Sequence, residues 1–130
     1  MTREFLIDIA TKILRENGYL VKKRTYYHAY LSESSFLAKP LCSDANVIVM
    51  DFYTHYTSIK ATQNLQQKVR LYNSANDQEC IGILYTANVS RLAKTYIDII
   101  KDRELIYAVS TPYELSSLMR RIRYREIIIL

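Results

Sequence analysis

The sequence predicts a three-layer α/β domain with a mixed central sheet flanked by helices, and three observations predict it. Apolar residues at helical spacing alternate with apolar runs of strand length. The continuous run Val47-Ile48-Val49-Met50 suits a strand covered on both faces. From Cys80 onward, strand and helix patterns take turns, which implies parallel pairing through right-handed crossovers. With 130 residues, 49% of them hydrophobic, the chain is expected to form a single domain over 1–130 with a real core.

Each element has its own signal. Residues 3 to 16 read as an amphipathic helix in which Phe5, Ile9 and Ile13 recur every fourth residue with Leu6, Ala10 and Leu14 beside them, and Asn17-Gly18 is the stop. Tyr19-Leu20-Val21 begins a strand, and Tyr26-Tyr27-His28-Ala29-Tyr30 reads as a second strand or a loop. Serines, Pro40 and Asp44 make residues 32 to 46 an expected connection. Val47 to Tyr53 is the next strand, and Ile59, Leu65, Val69 and Tyr72 mark a helix between Thr57 and Ser74. Cys80 to Tyr85 is a strand, and Ser90 caps a helix with Leu92, Tyr96 and Ile99 or Ile100 inward. Leu105 to Val109 is another strand. Thr111-Pro112-Tyr113-Glu114 then opens a helix with a capping box, and Leu115, Leu118, Met119 and Ile122 form its apolar stripe. Glu126 to Leu130 is a β-prone run expected to be paired or covered.

Composition narrows the function. No window reaches the ~18 apolar residues of a membrane span, and Met1-Thr2-Arg3-Glu4 does not open a secretory signal. The expectation is an intracellular protein, nuclear or cytoplasmic, with no membrane partner. Cys42 and Cys80 lack metal-ligand spacing and are expected to be free thiols. With Gly 2, glycine-rich phosphate loops are scarce, which argues against nucleotide-binding enzymes. The net charge of +5 favours a polyanionic or acidic partner. Abundant Tyr, Ile, Asn and Lys suggest an AT-rich genome, such as that of a virus or plasmid.

The element order is also that of the PD-(D/E)xK nuclease fold. Such enzymes hold Mg²⁺ between acids on adjacent strands, with a lysine two residues after the second acid. The candidates are Asp44, Asp51 and Lys60. With Lys60 as the lysine, the acid position falls at Ser58; with Asp51 as the acid, the lysine position falls at Tyr53. Gln63, Gln66 and Gln67 follow, with no carboxylate before Asp77. The expectation is therefore no catalytic set, no metal and no cofactor. Asp44 would cap a turn and Asp51 would sit at a strand edge. His28 and His55 have no recognisable acid–base partner. Tyr85, Tyr96 and Tyr107 read as core.

Two basic clusters stand out. Lys22-Lys23-Arg24 precedes Tyr26, Tyr27 and Tyr30, and basic residues interleaved with aromatics can line a nucleic-acid surface. Arg120, Arg121, Arg123 and Arg125 put four arginines in six positions, offering phosphate or carboxylate contacts beyond what a helix C-terminus explains.

Several segments together resemble the fifth subunit shared by the eukaryotic nuclear RNA polymerases. Leu14 to Val21 is similar to its opening helix-to-strand step, Val47 to Phe52 to its strand ending in an acid and Phe, and Ser58-Ile59-Lys60 to its next helix start. Ile81 to Tyr85, Asn88-Val89-Ser90, Ala93-Lys94 and the stretch from Glu114 to Ile127 resemble its later segments. The resemblance implies the N-terminal jaw domain, a restriction-endonuclease-like fold without the active site, near downstream DNA. The family's C-terminal assembly domain would begin where this sequence stops. The expected function is a non-catalytic, jaw-like component of a DNA-directed RNA polymerase. Its partners would be larger polymerase subunits and double-stranded DNA held by nonspecific phosphate contacts. The alternatives are a metal-dependent DNA nuclease or Holliday-junction resolvase with a displaced acid, and a stand-alone viral or plasmid interaction protein on the same scaffold.

Overall fold

In a computed structural model that describes residues 2–23, 35–41 and 45–123, the elements follow in the order α1 (Arg3–Glu16), β1 (Tyr19–Lys23), β2 (Ser35–Pro40), β3 (Ile48–Thr57), α2 (Ile59–Asn76), β4 (Ile81–Val89), α3 (Arg91–Glu104), β5 (Ile106–Val109) and α4 (Pro112–Arg123). The sheet runs β1-β2-β3-β4-β5. Its first three strands are antiparallel, and β3, β4 and β5 are parallel.

Side-chain alternation along β3 splits the core in two. Ile48, Met50 and Phe52 join the layer packed by α1 and α4, whereas Val49 joins the layer packed by α2 and α3. Both crossover helices lie on one face, as connections of one hand require when β3, β4 and β5 are added in one direction. Phe36 and Phe52 meet edge to face at 5.0 Å, and Phe52 stacks on Tyr85 at 6.1 Å, so three strands share one aromatic seam under α1. This is a restriction-endonuclease-like α/β arrangement.

The helix termini follow their local chemistry. The Thr2 hydroxyl accepts from Phe5 N at 3.2 Å, and Gly18 at φ +84 ends α1. The Ser90 hydroxyl accepts from Ala93 N at 3.0 Å. At α4, the Thr111 hydroxyl accepts from Glu114 N at 3.1 Å, as the expected capping box requires, while the Glu114 carboxylate accepts from Ser110 N at 2.6 Å, one residue before the N-cap. Beneath α2, Gly82 is required by close approach: a Cβ there would meet Val69 Cγ2 at 2.7 Å.

Three expectations are corrected. Residues 32 to 46 are not wholly a connection, because Phe36, Leu37 and Ala38 are buried in β2; three apolar positions outweigh the flanking Ser and Pro. The buried stripe of α1 is Leu6, Ala10, Ile13 and Leu14, and Phe5 is turned outward. On α3, Ala93, Ile97 and Ile100 face the core, while Leu92 and Ile99 are exposed. On α3 the stripe moves by one residue, a 100° rotation that apolar spacing alone does not fix, whereas on α1 only Phe5 departs and Ile9 packs against the core.

Between β3 and β4 the register slips. Tyr53 pairs with Thr86 but Tyr56 pairs with Asn88, so β3 carries one extra residue. The Thr86 hydroxyl donates to the His55 carbonyl at 3.3 Å, and the Thr57 and Thr86 hydroxyls bond to each other. The bulge carbonyl is thus satisfied inside the protein. Tyr26 to Tyr30, His28, Cys42 and Glu126 to Leu130 lie outside the described residues.

Candidate functional site

Asp51 lies within β3, opposite Ser35 on β2 and level with Leu84 on β4. It is 0% exposed, which corrects the strand-edge expectation. A carboxylate taken out of water needs a counter-charge and hydrogen bonds. Lys68 of α2 supplies both: its Nζ donates to Oδ1 at 3.0 Å and to Oδ2 at 2.9 Å. The lysine is itself 12% exposed, so the pair is nearly enclosed. Tyr53 lies two residues on, on the same face and half-buried. Burial pushes its phenol up, the Asp51 charge adds to this, and Arg3 opposes it. A neutral phenol therefore stands two residues after the acid, at the position the nuclease motif gives to lysine.

This donor set does not fit Mg²⁺. The ion asks for several oxygen ligands, usually including one or two carboxylates. Here both Asp51 oxygens accept from an ammonium, which puts a positive charge where the metal's charge would have to go. The residue opposite on β2 is Ser35 rather than an acid. Among the described residues, no group of three or more His, Cys, Asp or Glu is arranged to hold a metal ion.

The other candidates scatter. Asp44 lies outside the described residues. Lys60 is exposed in the first turn of α2, eight residues from Lys68 and so about 12 Å away along the helix. Lys22 and Lys23 close β1, where only their backbone is described, and Arg24 and Arg125 are outside. Arg120 and Arg121 are exposed on the last turns of α4, and Arg123 ends that helix. Among the described residues β1 and β5 are the outermost strands on opposite sides of the sheet, four strand spacings or about 19 Å apart. The lysines thus belong to one edge, whereas α4 packs toward β5. His55 is exposed.

Lys68 was not singled out by the sequence. It sits 17 residues from its partner with no motif linking them. The available signal was an acid within an apolar strand, which demands a cation from the covering helix. Gln66 is another such residue. It accepts from the Tyr96 hydroxyl at 2.6 Å and donates to Glu104 at 2.6 Å, while Arg70 holds Glu104 from the other side at 2.7 Å. This chain ties α2 to α3 and carries no chemistry. Cys80 is a free, buried thiol pushed up to about 12 by burial, too weakly acidic for a nucleophile.

No family model matches the sequence, and no curated protein matches it. Among solved structures, the chain is similar to EndoMS in its apo form, with a TM-score of 0.61 and 14% identity over 85% of this chain and 46% of that one. The chain therefore spans less than half the length of the protein it resembles. At this identity the likeness shows the fold alone, that of a restriction-endonuclease-like domain. It lends no support to the RNA polymerase resemblance beyond the shared scaffold. Among the described residues, no helix is long and apolar enough to cross a membrane.

Proposed function

We propose that this chain is a nucleic-acid-binding domain built on a nuclease scaffold, one that holds duplex DNA by its backbone without cutting it. The observation that carries this reading is the Asp51–Lys68 pair: the acid on β3 is buried and neutralised by a protein cation. A net charge of +5 and the exposed Arg120 and Arg121 suit phosphate contacts that carry no sequence information. A polymerase jaw uses the same scaffold, but no feature of the described residues favours it over free-standing DNA binding.

The nuclease-like fold, rather than this pair, supports a second reading, a metal-dependent DNA nuclease whose lysine is carried by α2 instead of β3. Asp51 and the Lys68 amine would then be the acid and the lysine, with a further acid such as Asp44 completing the set. One experiment separates the two. Labelled linear and branched duplexes are incubated with the protein in Mg²⁺ or Mn²⁺ and analysed on native and denaturing gels. The binding reading expects retarded, intact DNA. Metal-dependent scission that disappears in Asp51→Asn establishes the nuclease instead.

A further inference from the structure

We propose that the cleft between α3 and α4, beside β5, binds a nucleoside phosphate. This goes beyond duplex binding and uses neither Asp51 nor Lys68. The cleft has a volume of about 550 Å³, within the usual range for small-molecule sites. It is lined by Lys94 and Lys101 of α3, Tyr107 of β5, and Tyr113, Glu114 and Arg121 of α4.

The charges there are unevenly spent. Lys101 has Asp98 at 3.8 Å, and Glu114 is committed to capping Ser110 N. Lys94 and Arg121 have no ion-pair partner among the described residues, so the lining's three cations outnumber its two acids, Asp98 and Glu114, by one charge.

Tyr107 supplies the second, independent observation. It is only 6% exposed, and its hydroxyl has no hydrogen-bond partner. The hydroxyl is closed off from solvent, so an acceptor in the cleft reaches it only once the ring turns outward, and then removes the cost of an unpaired donor. Burial pushes this phenol up, the Asp102 charge adds to it and Arg121 opposes it, so the hydroxyl remains a donor at neutral pH. A guanidinium, an ammonium and a phenol hydroxyl together suit a phosphate monoester.

Tyr113 gives the site its nucleoside preference. The ring is 75% exposed at the cleft, a flat apolar face on which a base can stack. The phosphate could be that of a free nucleotide or of a strand's 5′ end; the chemistry is shared.

The test is calorimetric titration of the full chain with a nucleoside monophosphate, the unphosphorylated nucleoside and inorganic phosphate. The monophosphate is expected to bind more tightly than either part. Tyr107→Phe is expected to weaken it roughly tenfold, while raising the melting temperature because the orphan hydroxyl is gone. Tyr113→Ala is expected to reduce the monophosphate to the affinity of inorganic phosphate. Competition by a 5′-phosphorylated oligonucleotide, and not by its unphosphorylated twin, assigns the site to strand ends; monophosphate binding without such competition assigns it to free nucleotides. Absence of monophosphate binding, or Tyr107→Phe binding as tightly as wild type, overturns the proposal. The titration contains no duplex, so its failure leaves the duplex-binding reading standing, and the reverse holds too.

Discussion

Replacing Lys68 with Met takes from the buried Asp51 carboxylate the ammonium that both its oxygens accept from, a change that costs about 3–5 kcal/mol in comparable cases. Urea denaturation should show a loss of that order for Lys68→Met. The double change Asp51→Asn with Lys68→Met should recover much of it, because the buried charge is gone; a double variant as unstable as the single one would refute the pairing argument. Cys80 obeys the same desolvation logic. With its thiol at about 12, it should resist thiol reagents at pH 8 in the folded protein and react only on unfolding, as peptide mapping of the labelled sites would reveal. Residue identities of this sort were partly legible beforehand. Asp51 was visible as an acid in an apolar run. Its cation was not, since a contact made across 17 residues by one helix face leaves no local spacing to read.

Among the elements, α2 packs directly against Gly82 of β4. Gly82→Ala would drive a methyl group into Val69 Cγ2 and Leu65 Cγ, so α2 must shift outward. Overpacking of this kind costs about 1–3 kcal/mol, seen as a lower melting temperature. The caps make a smaller prediction: Ser90→Ala should cost about 1 kcal/mol by removing the bond to Ala93 N. Caps were readable in the sequence because they act within three residues, and Ser90 and Thr111 took the roles their positions announced. The strand β2 was not. Its pairing partners lie on β1 and β3, and its flanking serines and Pro40 carry a turn signal that only tertiary burial overrides. The inward face of α3 was misjudged by one residue, and Phe5 on α1 was misplaced, because several apolar side chains sit on each helix and the sheet decides which of them it covers.

For the molecule as a whole, alkaline pH should undo the fold. Tyr19 and Cys80 are both raised to about 12 in the native state, from ordinary values of 10.0 and 9.0. Tyr53, Tyr85 and Tyr107 move in the same direction through burial. Above pH 9 the unfolded chain loses these protons first, so the native state holds more of them and stability falls as pH rises. Their contribution is intact below pH 9 and disappears through about pH 12. Denaturation midpoints measured from pH 7 to 11 should be flat and then decline. The basic surface makes a second prediction at this scale. If Arg120, Arg121, Arg123 and Arg125 each contact a phosphate, changing all four to Gln should lower the slope of log K against log salt by up to about 3.6; unchanged binding would remove them from the interface. Layer order and parallel pairing were legible at this scale because they follow from alternating periodicities. The Asp51–Lys68 pair was half legible, as an acid inside an apolar run whose cation carried no local mark. The measurement that tests the account most directly is the fate of duplex DNA with the wild-type protein in Mn²⁺. Intact DNA, retarded on a native gel and released by salt, is the predicted result. Strand scission that depends on Asp51 would contradict it.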